Sequence, residues 1–142
     1  MRKQGSILIE VMVSIMILSL TTTFIISTSM QNTDILKERI LSERVNRDVC
    51  NLMHEFKYNM TRDEIEEMLK DGKAGFEYDG DFSRRLRDSE IKNLQVGEDI
   101  QVSKIDSDSV GLKIKIEANV KNEKSEVTIE NEFTKSWWMD EI

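Results

Sequence analysis

The sequence contains no proline and only one cysteine, Cys50. A single cysteine excludes an intrachain disulfide, so packing has to stabilise the fold. The absence of proline removes a common cause of kinks and breaks in helices. The 142 residues suit one small domain with an appendage.

The sequence also has no excess of positive charge. It contains 20 Lys and Arg and 27 Asp and Glu, for a net charge of −7. Binding of nucleic acid through a broad basic surface is therefore not expected, since neutralising phosphates requires clustered Lys and Arg. The sequence shows no Ser/His/Asp arrangement, Walker loop or other catalytic spacing, and we expect neither an enzyme nor a cofactor. Cys50 and His54 lie four residues apart, but two ligands do not make a structural zinc site.

Near the N-terminus, residues 6–30 form a long apolar run whose only charge is Glu10. As a helix this run would be about 37 Å long, enough to cross the ~30 Å hydrocarbon layer of a bilayer. Arg2 and Lys3 precede it and are expected to keep the N-terminus in the cytoplasm. We therefore predict a single-pass segment in the cytoplasmic (inner) membrane, in contact with lipid.

Three interpretations of this run compete. A secretory signal peptide has a shorter apolar core followed by a small-residue cleavage site, which this sequence lacks. A plain signal anchor fits the length and the flanking charges but gives no reason for Glu10. A carboxylate at mid-membrane costs roughly 2.5–3.5 kcal/mol, so it indicates a function and requires a partner.

The third interpretation supplies that partner. The residues Lys3-Gln4-Gly5-Ser6-Ile7-Leu8-Ile9-Glu10-Val11 resemble the prepilin (class III) signal of type IV pilins and type II secretion pseudopilins. The resemblance implies that a prepilin peptidase cuts between Gly5 and Ser6 and that Ser6 is N-methylated. It also implies that Glu10 pairs with the free amine of a neighbouring subunit during assembly at an inner-membrane platform. The other pilin subunits and the peptidase are thus the expected partners.

Two departures from the common pilin pattern favour a minor pilin. Ser6 stands where Phe is commonest, and the apolar segment lacks the Pro found in many major pilins. The expected function is a structural subunit of a pilus-like filament at the cell surface. One alternative is a pseudopilin of a type II secretion or competence DNA-uptake system. Another, of a different class, is a single-pass anchor that carries an extracellular binding domain.

Beyond the membrane segment, an amphipathic stripe predicts that the helix continues. Leu41, Val45, Val49, Leu52 and Phe56 follow one another at spacings of four, four, three and four. We predict one helix over about residues 6–58, roughly 80 Å long. The chain would then comprise a leader (1–5), a membrane and filament-core helix (6–30), its amphipathic continuation (31–58) and a C-terminal α+β head (59–142).

The head is predicted to be a small antiparallel β-meander that covers the helix stripe, as in pilin-like folds. Thr61 and Glu64 are spaced as a capping box, and Asp71-Gly72 should end the short helix that follows. A strand is expected at 74–78 and a turn at 79–81, whereas 83–94 carries no clear pattern. Residues 100–105 predict a further strand.

Two long strands complete the predicted meander. Apolar residues alternate from Val110 to Val120, and the alternation resumes at Val127 after a turn placed at Asn122-Glu123. In that register Ile116 faces Ile129, and Leu112 faces Phe133. Two oppositely charged pairs, Lys115 with Glu130 and Lys113 with Glu132, would lie on the other face.

Two further features have alternative explanations. Asp106, Asp108 and Glu117 come close to the spacing of a calcium loop, but Val110 occupies a position that should supply an oxygen, and a β-turn is the preferred prediction. Trp137 and Trp138 are either a lid on the core edge or a contact for another subunit.

Overall fold

The computed structural model describes residues 2–122 and 125–140, with side chains for 7–122 and 125–139. The chain forms two compact units, Met1–Lys37 and Glu38–Ile142. Helix α1, Arg2–His54, supplies all the described structure of the first unit and the opening helix of the second. It begins four residues before the predicted start.

In the first unit, every described side chain is exposed. Most Ser and Thr hydroxyls within the apolar segment donate to carbonyls one turn earlier, as Ser14 does to Glu10 (2.7 Å) and Thr28 to Phe24 (3.0 Å). These bonds satisfy the donating hydroxyls within the helix, so those hydroxyls need no outside partner. The residues from 27 to 29, the only irregularity expected from sequence, leave the helix continuous.

In the second unit, the predicted apolar stripe of α1 is confirmed. Val45, Val49, Leu52 and Phe56 are fully buried, and Leu41 is half-buried against the same core. The α-helix ends at His54 and continues as a π-helical turn, Glu55–Asn59, so the helical segment reaches one residue beyond the predicted end.

A buried lysine supports this π-helical turn. Lys135 is 1% exposed, and its Nζ donates to the carbonyls of Lys57 (2.8 Å) and Met60 (2.7 Å). Carbonyls at the end of a helix lack partners within it, so the ammonium group satisfies groups that burial would otherwise leave unbonded.

The capping box is confirmed. Thr61 caps helix α2, Arg62–Met68, and Glu64 bonds back to the Thr61 backbone N–H. That backbone bond, with further hydrogen bonds from Lys92 and the Thr61 hydroxyl, lowers the pKa of Glu64 from its usual 4.5 to about 2. Gly72, with φ of 91°, donates to the Leu69 carbonyl just beyond the helix, as the predicted stop requires.

The region between 73 and 98 holds three short elements. Strand β1 is Lys73–Phe76, shorter than predicted because Glu77 donates instead to the Gln95 carbonyl (2.9 Å). After the predicted turn come helix α3, Phe82–Asp88, and a 3₁₀ turn, Ile91–Asn93, in the stretch that sequence left unassigned.

A buried carboxylate ties α3 to α1. Asp48 is 1% exposed and accepts hydrogen bonds from the Tyr78 hydroxyl (2.9 Å) and the Ser83 hydroxyl. Burial, followed by the hydrogen bond to Asp48, raises the pKa of Tyr78, so its hydroxyl stays protonated and remains a donor.

The sheet confirms the predicted α+β class. Strands β2 (Ile100–Ser107), β3 (Gly111–Asn122) and β4 (Ser125–Ser136) follow β1, and all neighbours pair antiparallel in the order β1-β2-β3-β4. The predicted alternation holds within β3, since its inward side chains are buried: Leu112, Ile114, Ile116, Ala118 and Val120. Val110, where the alternation was predicted to begin, precedes the strand and is exposed.

The predicted register of the hairpin between β3 and β4 was wrong by two residues. Asn122 pairs with Ser125, and Ile116 faces Asn131 rather than Ile129. The predicted turn residue Glu123 lies outside the described residues. Leu112 faces Lys135 rather than Phe133. A shift of two residues leaves every side chain on its predicted face, so the apolar pattern alone could not distinguish the registers.

The charged pairs expected across the hairpin nevertheless form, as diagonal contacts. Lys115 lies 2.6 Å from Glu130, and Lys113 lies 3.0 Å from Glu132. Long side chains reach diagonal neighbours on an antiparallel pair, which explains why the ion pairs survive the change of register.

We predict that Lys135→Met destabilises the chain by about 1–3 kcal/mol, because the carbonyls of Lys57 and Met60 lose a buried donor. Urea unfolding of the full chain in detergent micelles, followed by tryptophan fluorescence, measures the change. The matched control is Lys121→Met, whose lysine is 69% exposed in an ion pair and whose loss should cost no more than about 0.5 kcal/mol. Equal costs for the two variants would contradict a special role for Lys135.

Candidate processing and assembly site

The N-terminal part of α1 presents an apolar surface on all sides. Leu18, Phe24 and Ile25 are 66, 73 and 66% exposed, and no part of the most apolar window is buried within the chain. Among the described residues, this is the one helix that is long and apolar enough to cross a membrane. Such a surface requires lipid or other protein around it.

Glu10 lies on this apolar surface, with Ile9 and Val11 beside it in sequence. Its side chain is exposed, and its carbonyl accepts the Ser14 hydroxyl. No other residue between 7 and 30 carries a charge. The structure thus places a carboxylate on the surface of a membrane-length helix, where an apolar environment makes its charge costly.

The predicted cleavage residues lie at the beginning of the same helix. Gly5 and Ser6 have helical backbone within α1, and the side chain of Ser6 falls outside the described residues. Cleavage between them and methylation of Ser6 therefore stay predictions. Glu10 lies five residues after Gly5, so both belong to the first three turns of α1.

Exposed apolar side chains continue beyond the length of a membrane span. Ile35 and Leu36 are 56 and 57% exposed. If Ile7 lies at one hydrocarbon boundary, the other boundary is reached about 20 residues later, and Leu36 lies roughly 13 Å beyond it. A bilayer that covers the first part of the run leaves these two side chains in water.

The three carboxylates of the possible calcium loop are engaged separately. Asp106 accepts from the Ser107 N–H (2.8 Å), and Glu117 lies on β3 in an ion pair with Lys115 (2.6 Å). In the part of the chain that the structure describes, no group of three or more His, Cys, Asp and Glu side chains is placed to hold a metal ion.

Asp108 instead organises the predicted β-turn. Its Oδ1 accepts from the N–H groups of Val110 (2.8 Å) and Gly111 (3.0 Å), and its own N–H donates to the Gly111 carbonyl (3.1 Å). The backbone bonds from Gly111 and Val110 lower the pKa of Asp108. The carboxylate therefore serves the turn between β2 and β3.

Trp137, Trp138 and His54 all have exposed side chains. Trp137 and Trp138 form part of a 3₁₀ turn and are 54 and 51% exposed, which favours the contact interpretation over a lid on the core. His54 is exposed and stacks on Tyr58, with ring centroids 5.6 Å apart.

Sequence reasoning missed Lys135 and Asp48. Lys135 could have been found from sequence, because it lies an even number of residues from Val127 and Phe133. It therefore falls on the same, core-facing side of β4. Asp48 lies among the apolar positions Val45, Val49 and Leu52, but its partners in a distant part of the chain could not be read from spacing.

Comparison with protein-family models, curated proteins and solved structures found no match to this chain.

Proposed function

We propose that this chain is a minor pilin, a structural subunit of a type IV pilus-like filament that a prepilin peptidase processes. The observation that carries the proposal is Glu10, a lone charge in sequence on an exposed apolar helix, five residues after Gly5. In a membrane anchor a carboxylate at this place only raises the free energy of insertion. In an assembling helix it can pair with the amine of a neighbouring subunit.

Assembly gives the carboxylate a defined partner. Cleavage after Gly5 creates a new α-amine at Ser6, and an ammonium group is as costly in an apolar filament core as a carboxylate. Pairing the Glu10 carboxylate of one subunit with the amine of the next offsets much of both costs. Registers that separate the two charges leave both of them unpaired, so the pair selects one axial register even if its net stabilisation is small.

Ile35 and Leu36 support assembly over simple anchoring. A bilayer that surrounds the helix from Ile7 ends before these residues, yet both side chains are more than half exposed. Helices of neighbouring subunits extend past the membrane with the filament and can cover them. A single-pass anchor offers no such cover.

In this proposal the chain occupies two locations in turn, the inner membrane and then the filament. Arg2 and Lys3 hold the N-terminus in the cytoplasm while α1 crosses the inner membrane in contact with lipid. The peptidase cuts at the cytoplasmic side, and the assembly platform moves the subunit into a filament with other pilins. The head, residues 59–142, then faces outward at the cell surface.

The first test is the intact mass of the protein purified from membranes. We expect loss of Met1–Gly5, because the peptidase removes the leader, and methylation at Ser6 would add about 14 Da. A variant with Gly5→Leu provides the control and should keep its leader. An uncut N-terminus in cells that contain an active prepilin peptidase would contradict the proposal.

The second test concerns Glu10 in the assembled filament. Glu10→Val should leave the chain inserted and cleaved, but reduce its recovery in sheared filaments by about ten-fold, because the amine of its neighbour loses its partner. Glu10→Asp keeps the charge and should retain a larger share of incorporation. Equal recovery of the Glu10→Val variant and the unaltered chain would refute the pairing.

A further inference from the structure

The sheet of the second unit ends at β4, a strand of 12 residues that pairs with β3 along one of its edges. Strands are usually about 5–6 residues long, so this edge of the sheet is about twice the usual length. Every residue from Ser125 to Ser136 pairs with β3 in one unbroken register, and the sequence contains no proline. Bulges and prolines are devices that keep such edges from pairing with other chains, and β4 uses neither.

The ladder between β3 and β4 identifies the backbone groups on the outer edge. The Trp137 N–H donates to the Val110 carbonyl (3.4 Å), one step beyond the last pair of the two strands. Bonds in an antiparallel pair alternate, so the odd-numbered residues of β4 bond to β3. The N–H and C=O groups of the even-numbered residues from 126 to 134 point away from β3, and we call this row the β4 edge. In the described part of the chain, these groups have no backbone partner.

The opposite edge of the sheet, at β1, is covered. β1 has only 4 residues, and the segment 95–97 runs beside it. The Gly97 N–H donates to the Gly75 carbonyl (3.2 Å), and the Glu77 N–H donates to the Gln95 carbonyl (2.9 Å) just after the strand. The described residues therefore cover the short edge of the sheet with backbone and leave the long one open to a strand from another chain.

The side chains along the β4 edge are acidic or neutral. Glu126, Glu130 and Glu132 lie on its outer face, and no basic residue occurs from 125 to 134. Each of these glutamates forms an ion pair with a lysine of β3, yet their side chains remain 52, 54 and 44% exposed. A basic side chain on the other side of β4 would therefore give each carboxylate a second cation.

The strand β3 shows which pattern β4 accepts on its paired edge. Residues 112–116 alternate between apolar side chains, which are buried on the inner face, and Lys113 and Lys115. These lysines form ion pairs with glutamates of β4 at 3.0 and 2.6 Å. On the inner face of β4, Ile129 is only partly buried against the core. A second strand with the same alternation would extend the charge pairs on one face and cover Ile129 on the other.

A second copy of β4 does not have this pattern. In the two antiparallel registers that overlap most of two β4 edges, Glu130 lies opposite either Glu130 or Glu132 of the other copy. Like charges directly opposite one another destabilise a strand pair. The glutamates thus disfavour pairing between copies of this chain and favour a partner strand that carries positive charge.

We propose that the β4 edge binds an extended strand of a different subunit of the filament, with basic residues on its outer face and apolar residues on its inner face. Backbone hydrogen bonds supply the affinity of such added strands, and the alternating side chains supply the selectivity. The contact joins this chain to another protein, so it does not require neighbouring copies of a minor subunit. The inference rests on the proposed function, which supplies the other subunits.

A proline on the β4 edge tests the strand contact. Thr128→Pro removes an N–H that points away from β3, and an edge strand tolerates proline at such a position. Because the ring blocks an incoming strand, recovery of the full-length chain in sheared filaments should fall at least about ten-fold. Thr128→Ala keeps the N–H and is the matched control, with a change of less than about two-fold. Equal recovery of the two variants would overturn the proposal.

Charge reversal tests the basic character of the partner strand. Glu130→Lys should lower recovery in filaments at least about five-fold, because it sets a lysine against basic side chains. The matched control is Glu117→Lys: Glu117 pairs with the same Lys115 at 2.6 Å, but it lies on β3, away from the edge. Its recovery should change by less than about two-fold. Equal losses from the two reversals would contradict a basic partner.

Hydrogen exchange in the unaltered chain tests the contact without a substitution. In the purified full-length chain, the outward amides of Thr128, Glu130 and Glu132 should exchange rapidly, whereas those of Ile129 and Asn131 are bonded to β3 and should exchange slowly. In filaments we expect the three outward amides to exchange at least about a hundred-fold more slowly. Mass spectrometry with fragmentation to single residues, after the filaments are dissolved, measures this. Rapid exchange in filaments, or slow exchange already in the purified chain through pairing of copies, would overturn the proposal.

The failure of this inference differs from the failure of the proposed function. A chain that loses Met1–Gly5 and enters filaments equally well as Thr128→Pro contradicts only the strand contact. A chain that keeps its leader and stays out of filaments contradicts the proposed function.

Discussion

The apolar surface of α1 has to be covered along its whole length, and the chain itself covers only one part of it. In the second unit, Val45, Val49, Leu52 and Phe56 are fully buried among the apolar residues of the sheet and the short helices. In the first unit, every described side chain is exposed. The part of α1 in the second unit therefore packs into the core of the head. The part in the first unit must be covered by lipid or by other protein.

Because the apolar stripe of α1 is buried in the head, polar groups next to it are buried as well and need partners. Asp48 is carried into the interior by the same helix, and hydroxyls from Tyr78 and Ser83 satisfy its carboxylate. The π-helical turn leaves carbonyls that the ammonium of Lys135 reaches from β4. Asp48 and Lys135 thus both have partners from a distant part of the chain, and these contacts link α1, α3 and the sheet into one core.

Periodicity predicted the features that depend on neighbouring residues. The α1 stripe, the Thr61 cap and the alternation in β3 follow from spacing alone, and the structure confirms them. The predicted hairpin register was wrong because a shift of two residues preserves the apolar face, so the apolar pattern does not distinguish the two registers. The contact of Asp48 with Ser83 was beyond sequence reasoning, since it joins two helices that only the tertiary fold brings together.

The most direct test of external cover is the reactivity of a cysteine at Leu36, which is 57% exposed just beyond a membrane span. With Cys50→Ser as background, Leu36→Cys is treated with a water-soluble maleimide in membranes and in purified filaments. Lys70→Cys, at an exposed site in the head, reports equal access to the reagent. Helix cover by neighbouring subunits predicts labelling at Leu36→Cys in membranes and protection in filaments. Equal labelling in both would contradict it.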